Sequence, residues 1–593
     1  MPRIAVIDRD KCTSVACGFQ CIKICPGVKM REEVIVVEPS SSFPVINEEL
    51  CTGCGLCVKR CPRDAIRVIN LPGESGRPTF QYGANTFRVY GMILPKQGAV
   101  VGIVGVNGIG KTTALKMLAG ALKPNFGHFN REPSWEEIRK EFRGQEIQAF
   151  LEKLASKQVR VAYKMQYVDE LAKGRGTARQ LLEACDEKNE APQAIESFEL
   201  SSFLDRSLSS LSGGELQRLA IACTMLRNAN AYVFDEPSSY LDIRQRLKVA
   251  ARIRELSAKA AVVVVEHDLA VLDYLSDYVH VLYGSKGVYG VVSSLKSAKN
   301  GVNEYLDGFL RDENVRFRVN SIKFEAVKPQ SQKPSVIYSY SSLRKSFHGN
   351  QSFSLEVEGG GVGKGEVIAV VGPNAIGKST FVKLLAGVEE ADEGSGFSEK
   401  VSIAFKPQHP YSEFGGSVRE LFAAQKDLNK ELFDAEVREG LEISELFDKP
   451  VKSLSGGELQ RVSIALCLCK DAGVRLIDEP SAFLDVEQRL RAASLIKKVA
   501  EATGVPCFVV EHDVLFVDKT ANRVIVFEGS PGVRGKALAP VGLKEGMTAL
   551  LKQMNVTFRR DALTGRPRAN KPGSALDREQ REAGEYYYYE ARG

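Results

Sequence analysis

The sequence predicts an α/β fold in which two similar α/β domains follow each other and a small α+β domain precedes them. Three observations support this prediction. The octapeptide LSGGELQR begins at Leu211 and again at Leu454, and a glycine-rich motif precedes each copy. Eight of the thirteen cysteines lie between Cys12 and Cys61. A chain of 593 residues is also too long for one hydrophobic core, so several domains are expected.

The composition excludes several classes of protein. Apolar residues make up 44% and charged residues 26% of the chain, as in ordinary soluble globular proteins. The net charge of +6 is too small for this length to indicate nucleic-acid binding by itself. The apolar runs are far shorter than the roughly 18 residues that span a membrane, and the N-terminus lacks a secretion signal. We therefore expect a cytoplasmic protein without a membrane segment, whose cysteines bind metal rather than form disulfides.

The two halves of the chain resemble each other well beyond the octapeptide. GVNGIGKTT at 105–113 pairs with GPNAIGKST at 372–380, and VFDEPSSYLD at 233–242 pairs with LIDEPSAFLD at 476–485. VVEHD also occurs twice, and a quieter repeat from Gly301 and from Gly542 predicts two equivalent hinges. The predicted domains are 1–75, 76–292, a hinge and polar linker at 293–334, 335–530, and a second hinge with the tail at 531–593.

The first repeat carries an extra segment at about 131–158. Within it, WEEIRKEFRG and QEIQAFLEKLASK predict two short amphipathic helices around Gly144.

The glycine-rich motifs are phosphate-binding loops, each placed between an apolar strand and a helix. Their glycines let backbone N–H groups converge on phosphates, the lysine neutralises charge, and Thr112 or Ser379 ligates Mg²⁺. The predicted phosphate-binding residues are Gly105, Asn107, Gly108, Gly110, Lys111, Thr112 and Thr113, with Gly372, Asn374, Gly377, Lys378, Ser379 and Thr380 in the second repeat.

Four further pairs of residues complete the predicted nucleotide chemistry. Asp235 and Asp478 end apolar strands, where a carboxylate can hold the metal's hydration shell. The adjacent Glu236 and Glu479 can polarise the attacking water. His267 and His512, which follow the next strands, can sense the γ-phosphate. The glutamines after short strands are predicted to ligate Mg²⁺ and to link metal occupancy to movement. These glutamines are Gln166 and Gln408.

The octapeptide opens a helix whose N-terminus is a second anion receptor. Because each phosphate loop already equips its own repeat, we expect each octapeptide to cap the nucleotide held by the other repeat. The residues predicted for this role are Ser212, Gly214 and Glu215 in the first repeat, and Ser455, Gly457 and Glu458 in the second.

These motifs, in this order, resemble those of the ATP-binding-cassette ATPases, whose sites lie between two head-to-tail P-loop domains. The resemblance implies one site from Gly105–Thr112 with Ser455–Glu458, and another from Gly372–Ser379 with Ser212–Glu215. Tyr82 and Phe347 match the family's adenine-stacking aromatic, although an aromatic at this position could instead belong to the core.

The cysteine-rich segment resembles two-cluster ferredoxins. Cys-x-x-Cys-x-x-Cys-x-x-x-Cys-Pro from Cys51 is the bacterial ferredoxin run, and a looser run from Cys12 also ends in Cys-Pro. In such proteins the fourth cysteine of each run serves the other cluster. The predicted ligands are Cys51, Cys54, Cys57 and Cys25 for one [4Fe–4S] cluster, and Cys12, Cys17, Cys21 and Cys61 for the second. Zinc is the competing interpretation. Without a flavin or nicotinamide motif, a structural role is at least as well supported as electron transfer.

The combination of double-cluster domain, insertion in the first cassette and paired hinges resembles the class E ATP-binding-cassette family, also called RNase L inhibitors. The resemblance implies an ATP hydrolase that uses ATP/ADP, Mg²⁺ and two [4Fe–4S] clusters. It further implies ribosome splitting after termination or rescue, with a role in initiation. The implied partners are the small ribosomal subunit and its rRNA, a termination or Pelota-type rescue factor, and initiation factors. The protein is expected to be a monomer with an internal pseudo-dimer.

Two rival functions and one unexplained segment remain at this stage. The chain could be the ATPase subunit of a transporter, or an ATP-coupled iron–sulfur redox protein.

Two basic groups agree with rRNA contact, although glutamates interleave the second and could make it a solvated helix face. They are Arg559, Arg560, Arg566, Arg568 and Lys571, and Arg139, Lys140 and Arg143. The terminal EYYYYEARG has no physical explanation from sequence alone.

Overall fold

The computed structural model describes residues 3–9, 11–37, 42–70, 76–324, 335–348, 352–408 and 413–588. The polar linker predicted before residue 335 falls outside the described residues from 325 to 334, as do residues 71–75 and the last five residues of the tail. The domain boundaries chosen from the sequence therefore stay predictions. In the parts of the chain that are described, no helix has both the length and the apolar character needed to cross a membrane.

The small N-terminal domain has the α+β composition predicted. Its strands are Arg3–Ile7 paired antiparallel with Ile66–Asn70, and Ile35–Val37 paired antiparallel with Pro44–Ile46. Its helices are Gln20–Ile24, Pro26–Lys29 and Leu56–Arg60, after a 3₁₀ turn at Ser14–Cys17. The buried thiols of Cys21 and Cys57 pack with Ala5 and Ile46, so cysteines form much of this small core.

The first repeat folds around a sheet that has nine strands within the described residues. In spatial order they are Phe80–Gln81, Arg88–Tyr90, Tyr289–Val292, Tyr278–Ser285, Val100–Val104, Ala261–Val265, Ala231–Asp235 and Val161–Lys164, with Lys296–Ser297 beside Tyr278–Ser285. The strands from Tyr278–Ser285 to Val161–Lys164 are all parallel. Their carboxyl ends meet at one edge of the sheet, where α/β proteins bind their ligands.

The second repeat has the same strand order, again with nine strands in the described ranges. They are Leu343–Phe347, Phe353–Val357, Arg534–Ala537, Arg523–Ser530, Val367–Val371, Cys507–Val510, Val474–Asp478 and Ile403–Lys406, with Val541–Gly542 beside Arg523–Ser530. Beyond the N-terminal domain, three further pairs of strands lie outside these sheets within the described residues, and two of them are Phe309–Leu310 with Val315–Arg316 and Phe558–Arg560 with Pro567–Ala569. Val336–Tyr340 pairs with Gly360–Gly363.

Helices cover both faces of each sheet and form the hinges. In the first repeat and its hinge they are Lys111–Leu118, Trp135–Glu141, Gln148–Ala155, Asp169–Ala172, Ala178–Cys185, Ala191–Ser197, Gly213–Leu226, Ile243–Leu256, Leu269–Leu275 and Ala298–Asp307. In the second repeat and the tail they are Lys378–Leu385, Val418–Ala423, Lys430–Leu432, Arg438–Gly440, Gly456–Cys469, Val486–Thr503, Val514–Thr520, Leu543–Met554 and Ala575–Glu582. One apolar cluster joins Leu272, Leu306, Val517 and Leu550, so both repeats and both hinges share a core.

The insertion in the first repeat contains the two helices predicted. Ser134 caps the first helix through a reciprocal capping box with Glu137, which satisfies N–H groups that the helix leaves free. Gly144, between the helices, has φ +81° and is exposed. Ile138 and Leu151 face each other in a small core of their own. Arg139, Lys140 and Arg143 are exposed, and the glutamates Glu136, Glu137 and Glu141 lie in the same segment.

The N-terminal domain attaches to the first repeat through polar contacts. Asn85 is buried with φ +52°, accepts from the Ile46 N–H at 2.6 Å and donates to the Ile46 carbonyl at 2.9 Å. The Arg88 guanidinium donates to both oxygens of Glu48, at 2.9 and 2.5 Å. Burial would lower the pKa of Arg88, but the bonds and charge of Glu48 outweigh it and raise the pKa. A small contact of Val6 with Tyr289 completes this interface.

The basic group near the C-terminus is only partly a free surface, because Lys571 is exposed whereas Arg566 and Arg568 are engaged in internal ion pairs. Contact of this group with rRNA stays a prediction. Arg566 is 0% exposed and donates to Asp273 at 3.2 Å. Arg568 donates to the same carboxylate at 2.8 Å and to Asp561 at 3.2 Å. These ion pairs fasten the C-terminal segment to the helix Leu269–Leu275 of the first repeat. Since a buried arginine needs an anionic partner, the pattern of charges reflects this internal contact.

The tyrosine run also has a structural explanation. The Tyr587 and Tyr588 hydroxyls both donate to Oδ1 of Asp518, the former at 2.8 Å. Arg560 lies 3.1 Å from the same carboxylate and 3.9 Å from the Tyr588 ring centre. Asp518 lies on the helix Val514–Thr520, so the tail is fastened to the second repeat as Arg566 fastens it to the first.

Replacing Asp518 with alanine should lower the thermal unfolding temperature of the full chain. The change leaves the Arg560 guanidinium and two phenols without their shared buried acceptor, and breaking such a buried pair costs about 3–5 kcal/mol. Asp448→Ala is the matched control, because Asp448 is exposed and pairs with exposed Arg419 at the surface. Equal unfolding temperatures for the two variants in scanning calorimetry would contradict this account.

Candidate active sites

Both phosphate loops occupy the carboxyl edge of their sheets. They connect the strand Val100–Val104 to the helix starting at Lys111, and the strand Val367–Val371 to the helix starting at Lys378. Gly110 has φ +98°, and a Cβ there would stand 2.7 Å from the Phe87 ring, so glycine is required. The Lys111 ammonium donates to the Gly105 carbonyl at 2.8 Å, and Lys378 donates to Gly372 at 3.0 Å. The loops are therefore wrapped around their lysines.

Burial makes these loops receptive to anions. It lowers the pKa of Lys111, and it lowers the pKa of Lys378 to about 8, because a charged ammonium loses hydration there. A bound phosphate would restore the charge balance of both lysines. Asn107 and Asn374 occupy equivalent positions on the two loops, and Gly108, Thr113 and Thr380 flank the lysines as predicted from the sequence.

The first repeat gathers its predicted catalytic residues at this edge. Thr112 Oγ1 lies 3.1 Å from Asp235 Oδ2, so a hydroxyl and a carboxylate meet where Mg²⁺ is expected. The Gln166 side-chain amide donates to Glu236 Oε1 at 2.8 Å, and His267 Nε2 lies 3.2 Å from the same oxygen. The structure therefore brings all five predicted side chains together.

The second repeat repeats this arrangement with a longer contact. His512 Nε2 lies 3.7 Å from Glu479 Oε1. Ser379 hydrogen-bonds to Asp478, and this bond partly offsets the effects of burial and of Glu479 that raise the pKa of Asp478 to about 6. Gln408 follows the strand Ile403–Lys406 as Gln166 follows its own strand. Burial, and then the charge of Glu236, likewise raise the pKa of Asp235 to about 6.

Each phosphate loop is contacted by the other repeat. The Asn107 N–H donates to Asp485 Oδ2 at 2.9 Å, and the Asn374 N–H donates to Asp242 Oδ2 at 2.8 Å. We call the segments 238–242 and 481–485, which carry these aspartates, the crossing loops. Their Tyr240 and Phe483 rings meet edge to face at 6.2 Å. The repeats therefore lie head to tail, and each candidate site is composite.

The octapeptides start next to the crossing loops. Ser212 and Ser455 each cap their helix in a reciprocal capping box, with Glu215 and Glu458 respectively. A Cβ on Gly214 or Gly457 would stand 3.0 or 2.8 Å from the crossing-loop backbone of the same repeat. This close packing puts each helix N-terminus beside the loop that reaches the opposite phosphate loop, as cross-capping requires.

The octapeptide glutamine has a role that the sequence analysis missed. Gln217 Nε2 donates to the Glu236 carbonyl at 2.8 Å, and Lys164 donates to the Asp235 carbonyl at 2.9 Å. Gln460 and Lys406 make the equivalent contacts in the second repeat. Glu236 has φ +49° and Glu479 has φ +47°, a strained conformation that needs such support. The repetition of this glutamine and lysine in both halves was the available signal.

One predicted aromatic residue lies near each phosphate loop. Tyr82 is 52% exposed and its hydroxyl lies 3.0 Å from Thr113 Oγ1, so it lies at the rim rather than in the core. Phe347 is 36% exposed and lies near Phe353, with ring centres 6.4 Å apart. Phe87 and Phe353, which contact the glycines before the two lysines, were missed, although both follow the predicted aromatics closely in sequence.

Six of the eight cysteines of the N-terminal domain fall into two groups of neighbours. Burial, and then repulsion from Cys51 and Cys54, raise the pKa of Cys57 to about 11, while Cys12 and Cys17 act on Cys21. Thiols that crowd together in this way fit a metal cluster, because a cation would stabilise their thiolates. Among the described residues, no three such side chains share one metal-ligand geometry. None of the cysteines, all of which are described, is in a disulfide.

Comparisons with known proteins agree with this organisation. The sequence profile of the ABC transporter family matches residues 95–239 and 359–482, and that of the 4Fe-4S binding domain matches residues 44–67. The ABC transporter E family member 1 of Arabidopsis thaliana is 44% identical over 596 residues, which cover 99% of each chain. The chain belongs to the class E family of ATP-binding-cassette proteins. The family and fold class predicted from the sequence are thereby confirmed.

Other class E proteins are equally similar over their whole length. An uncharacterised ABC transporter ATP-binding protein of Methanocaldococcus jannaschii is 50% identical over 99% of this chain and 97% of its own. The translation initiation factor RLI1 of Saccharomyces cerevisiae is 43% identical over 100% and 99%. A chain in the structure of ribosome-bound archaeal Pelota and ABCE1 has a TM-score of 0.91 at 50% identity, covering 99% of both chains.

Replacing Tyr82 with alanine should weaken ATP binding at the first site. The exposed ring beside the phosphate loop is positioned to stack on adenine, and such aromatic contacts contribute about 0.5–1.5 kcal/mol, roughly a threefold to tenfold change in Kd. Fluorescent ATP titration measures the change, with Lys378→Ala in both proteins so that the first site dominates. Phe129→Ala removes another exposed aromatic, at the border of the insertion, and should leave the affinity unchanged. Unchanged affinity in Tyr82→Ala would remove this tyrosine from the site.

Proposed function

We propose that this class E protein hydrolyses ATP to ADP and phosphate and uses the cycle to separate ribosomal subunits after termination or rescue. The observation that carries the proposal is the reciprocal contact of each crossing loop with the opposite phosphate loop. Neither site is complete within one repeat. Nucleotide binding can therefore pull the two cassettes together, and hydrolysis can release them.

The chemistry assigned to the first site follows from the positions of its side chains. Lys111 and the loop N–H groups hold the β- and γ-phosphates, while Thr112 and Asp235 hold Mg²⁺ with Gln166 nearby. Glu236 orients the attacking water, and the buried His267 beside it contacts the γ-phosphate. Burial lowers the pKa of His267, so its imidazole is neutral near pH 7 and can donate one hydrogen bond. The second site uses Lys378, Ser379, Asp478, Gln408, Glu479 and His512 in these roles.

Two [4Fe–4S] clusters are proposed for the N-terminal domain, with the ligand sets given by the ferredoxin spacing. Cys57 groups with Cys51 and Cys54, and Cys21 groups with Cys12 and Cys17, which supports the first three members of each set. Such clusters would cross-link loops that otherwise have few apolar contacts. Their proposed role is structural, because a rigid domain transmits the movement of the cassette to which Asn85 and Arg88 attach it.

The proposed partners follow from relatives that carry translation names. Structures of related chains include ribosome-bound archaeal Pelota with ABCE1, and an archaeal ribosome recycling factor with ribosomal stalk protein aP1. We assign this chain the small subunit and a termination or Pelota-type rescue factor as partners, a further role in initiation, and a cytoplasmic location. The exposed Arg139, Lys140 and Arg143 are a basic group suited to rRNA.

Ribosomes mixed with the protein, a release factor and ATP should yield more free subunits in a sucrose gradient. The double variant Glu236→Gln, Glu479→Gln should retain nucleotide and stop turnover, because both water-orienting carboxylates are lost. Glu445→Gln, at an exposed position of the helical region, serves as control. Unchanged subunit levels with wild-type protein would refute recycling, and rapid nucleotide release from the double variant would refute the assignment of the glutamates.

Cys57→Ser should reduce the iron content of purified protein from about eight to about four atoms per chain, because one of two [4Fe–4S] clusters loses a buried ligand. Anaerobic preparation and colorimetric iron analysis give the count. Cys507→Ser changes an equally buried cysteine in a strand of the second repeat and should keep all the iron. Zinc in place of iron in the wild-type protein would overturn the cluster proposal.

A further inference from the structure

Arg246 and Arg489 each join two loops within their own repeat. Arg246 Nε donates to the Leu241 carbonyl at 2.7 Å, and its Nη1 donates to Asp268 Oδ2 at 2.9 Å. Arg489 makes the equivalent bonds, to Leu484 at 2.8 Å and to Asp513 at 3.2 Å. Both arginines lie in the first turn of the helix after the crossing loop. The same geometry thus occurs twice.

One of the two loops that each arginine joins reaches the opposite candidate site. Leu241 precedes Asp242, whose Oδ2 accepts from the Asn374 N–H of the second phosphate loop at 2.8 Å. The residue after Leu484 is Asp485, which accepts from the Asn107 N–H at 2.9 Å. A shift of either arginine therefore moves the carboxylate that holds the other repeat's phosphate loop.

The other loop that each arginine joins reaches the site of its own repeat. Asp268 follows His267, which lies 3.2 Å from Glu236, and Asp513 follows His512. Asp268 also caps the helix Leu269–Leu275 by accepting from two N–H groups, and Asp513 caps Val514–Thr520 in the same way. The histidine is thus adjacent in the chain to the aspartate, and the aspartate accepts a hydrogen bond from the arginine.

The ion pairs of the two arginines meet at the interface between the repeats. Asp268 and Asp513 are both buried, and the charge of each acts on the other. The Arg246 charge acts on Asp513 as well as on its own partner, so two arginines compensate two aspartates across the interface. Removing one member from such a buried group leaves an uncompensated charge, which costs several kcal/mol. The two arginines and the two aspartates therefore depend on one another for compensation of charge.

We propose that Arg246 and Arg489 are positioning residues that transmit the state of one nucleotide site to the phosphate loop of the other. Arg246 carries the signal from His267 in the first site to Asn374 in the second, and Arg489 carries it from His512 to Asn107. This inference rests on the proposed ATPase function. It assigns the arginines to communication between sites rather than to the chemical step.

The test compares how strongly each site depends on the other in wild-type and variant proteins. Lys111→Ala disables the first site and Lys378→Ala disables the second, and ATPase rates are measured without ribosomes. The coupling factor from the first to the second site is the ATPase rate of the second site with an intact first site, divided by the ATPase rate of the second site with a disabled first site. The factor in the reverse direction is obtained by exchanging the two sites. Rates are used because equilibrium coupling is reciprocal and would not separate the two directions.

In Arg246→Lys, lysine keeps the positive charge, but its donors lie on a single nitrogen and cannot replace the two separate guanidinium nitrogens that hold Leu241 and Asp268. The coupling factor from the first to the second site should fall from several-fold to within twofold, while coupling in the reverse direction persists. Arg489→Lys should give the opposite pattern. Arg252→Lys, on the same helix as Arg246 but exposed and paired with Glu255, should preserve both factors.

The possible outcomes distinguish failure of this inference from failure of the proposed ATPase function. Absence of ATPase activity in wild-type protein would refute the proposed function. Activity with independent sites, or with coupling that survives in both Arg246→Lys and a second variant, Arg246→Gln, would overturn the inference alone. Unfolding temperatures of all variants are recorded, and equal loss of both coupling factors in a destabilised variant would count against a directional role.

Discussion

The structure depends on a carboxylate that binds a backbone amide of the opposite repeat. Asp485 and Asp242 each accept from the N–H of an asparagine in the other phosphate loop. Charge-assisted bonds of this kind are short and directional, so they fix the register between the repeats. The crossing-loop rings, the packed glycines of the octapeptides and the shared apolar core around Leu272 and Val517 follow from the same register.

The octapeptide combines two constraints in one turn of helix. Its serine caps the helix N-terminus in a capping box with the glutamate, and its second glycine packs against the crossing loop that reaches the other repeat. Its glutamine holds the carbonyl of Glu236 or Glu479, whose backbone lies in the left-handed region. The first half of the motif thus lies beside the contact between the repeats, and the second half supports the glutamate of its own repeat.

Sequence patterns were sufficient for the features that depend on local chemistry. The phosphate loops, the strand-end carboxylates and the insertion helices were predicted because glycine, lysine and apolar spacing determine them locally. The patterns could not show which charges would be buried. Arg566 and Arg568 resemble an RNA-binding group in sequence, yet their partner Asp273 lies in a distant segment. Tyr588 similarly meets Asp518 only after the chain folds, so its role needed tertiary information.

The attachment of the N-terminal domain determines how that domain can behave. Its main bonds, from Asn85 and from Arg88 to Glu48, are polar, and the apolar contact beside them is small. Water can replace polar bonds at little net cost in free energy, whereas a large apolar interface would resist separation. The cysteine-rich domain is consequently held on the first repeat by bonds that water can replace, and we expect it to separate from that repeat without unfolding of either cassette.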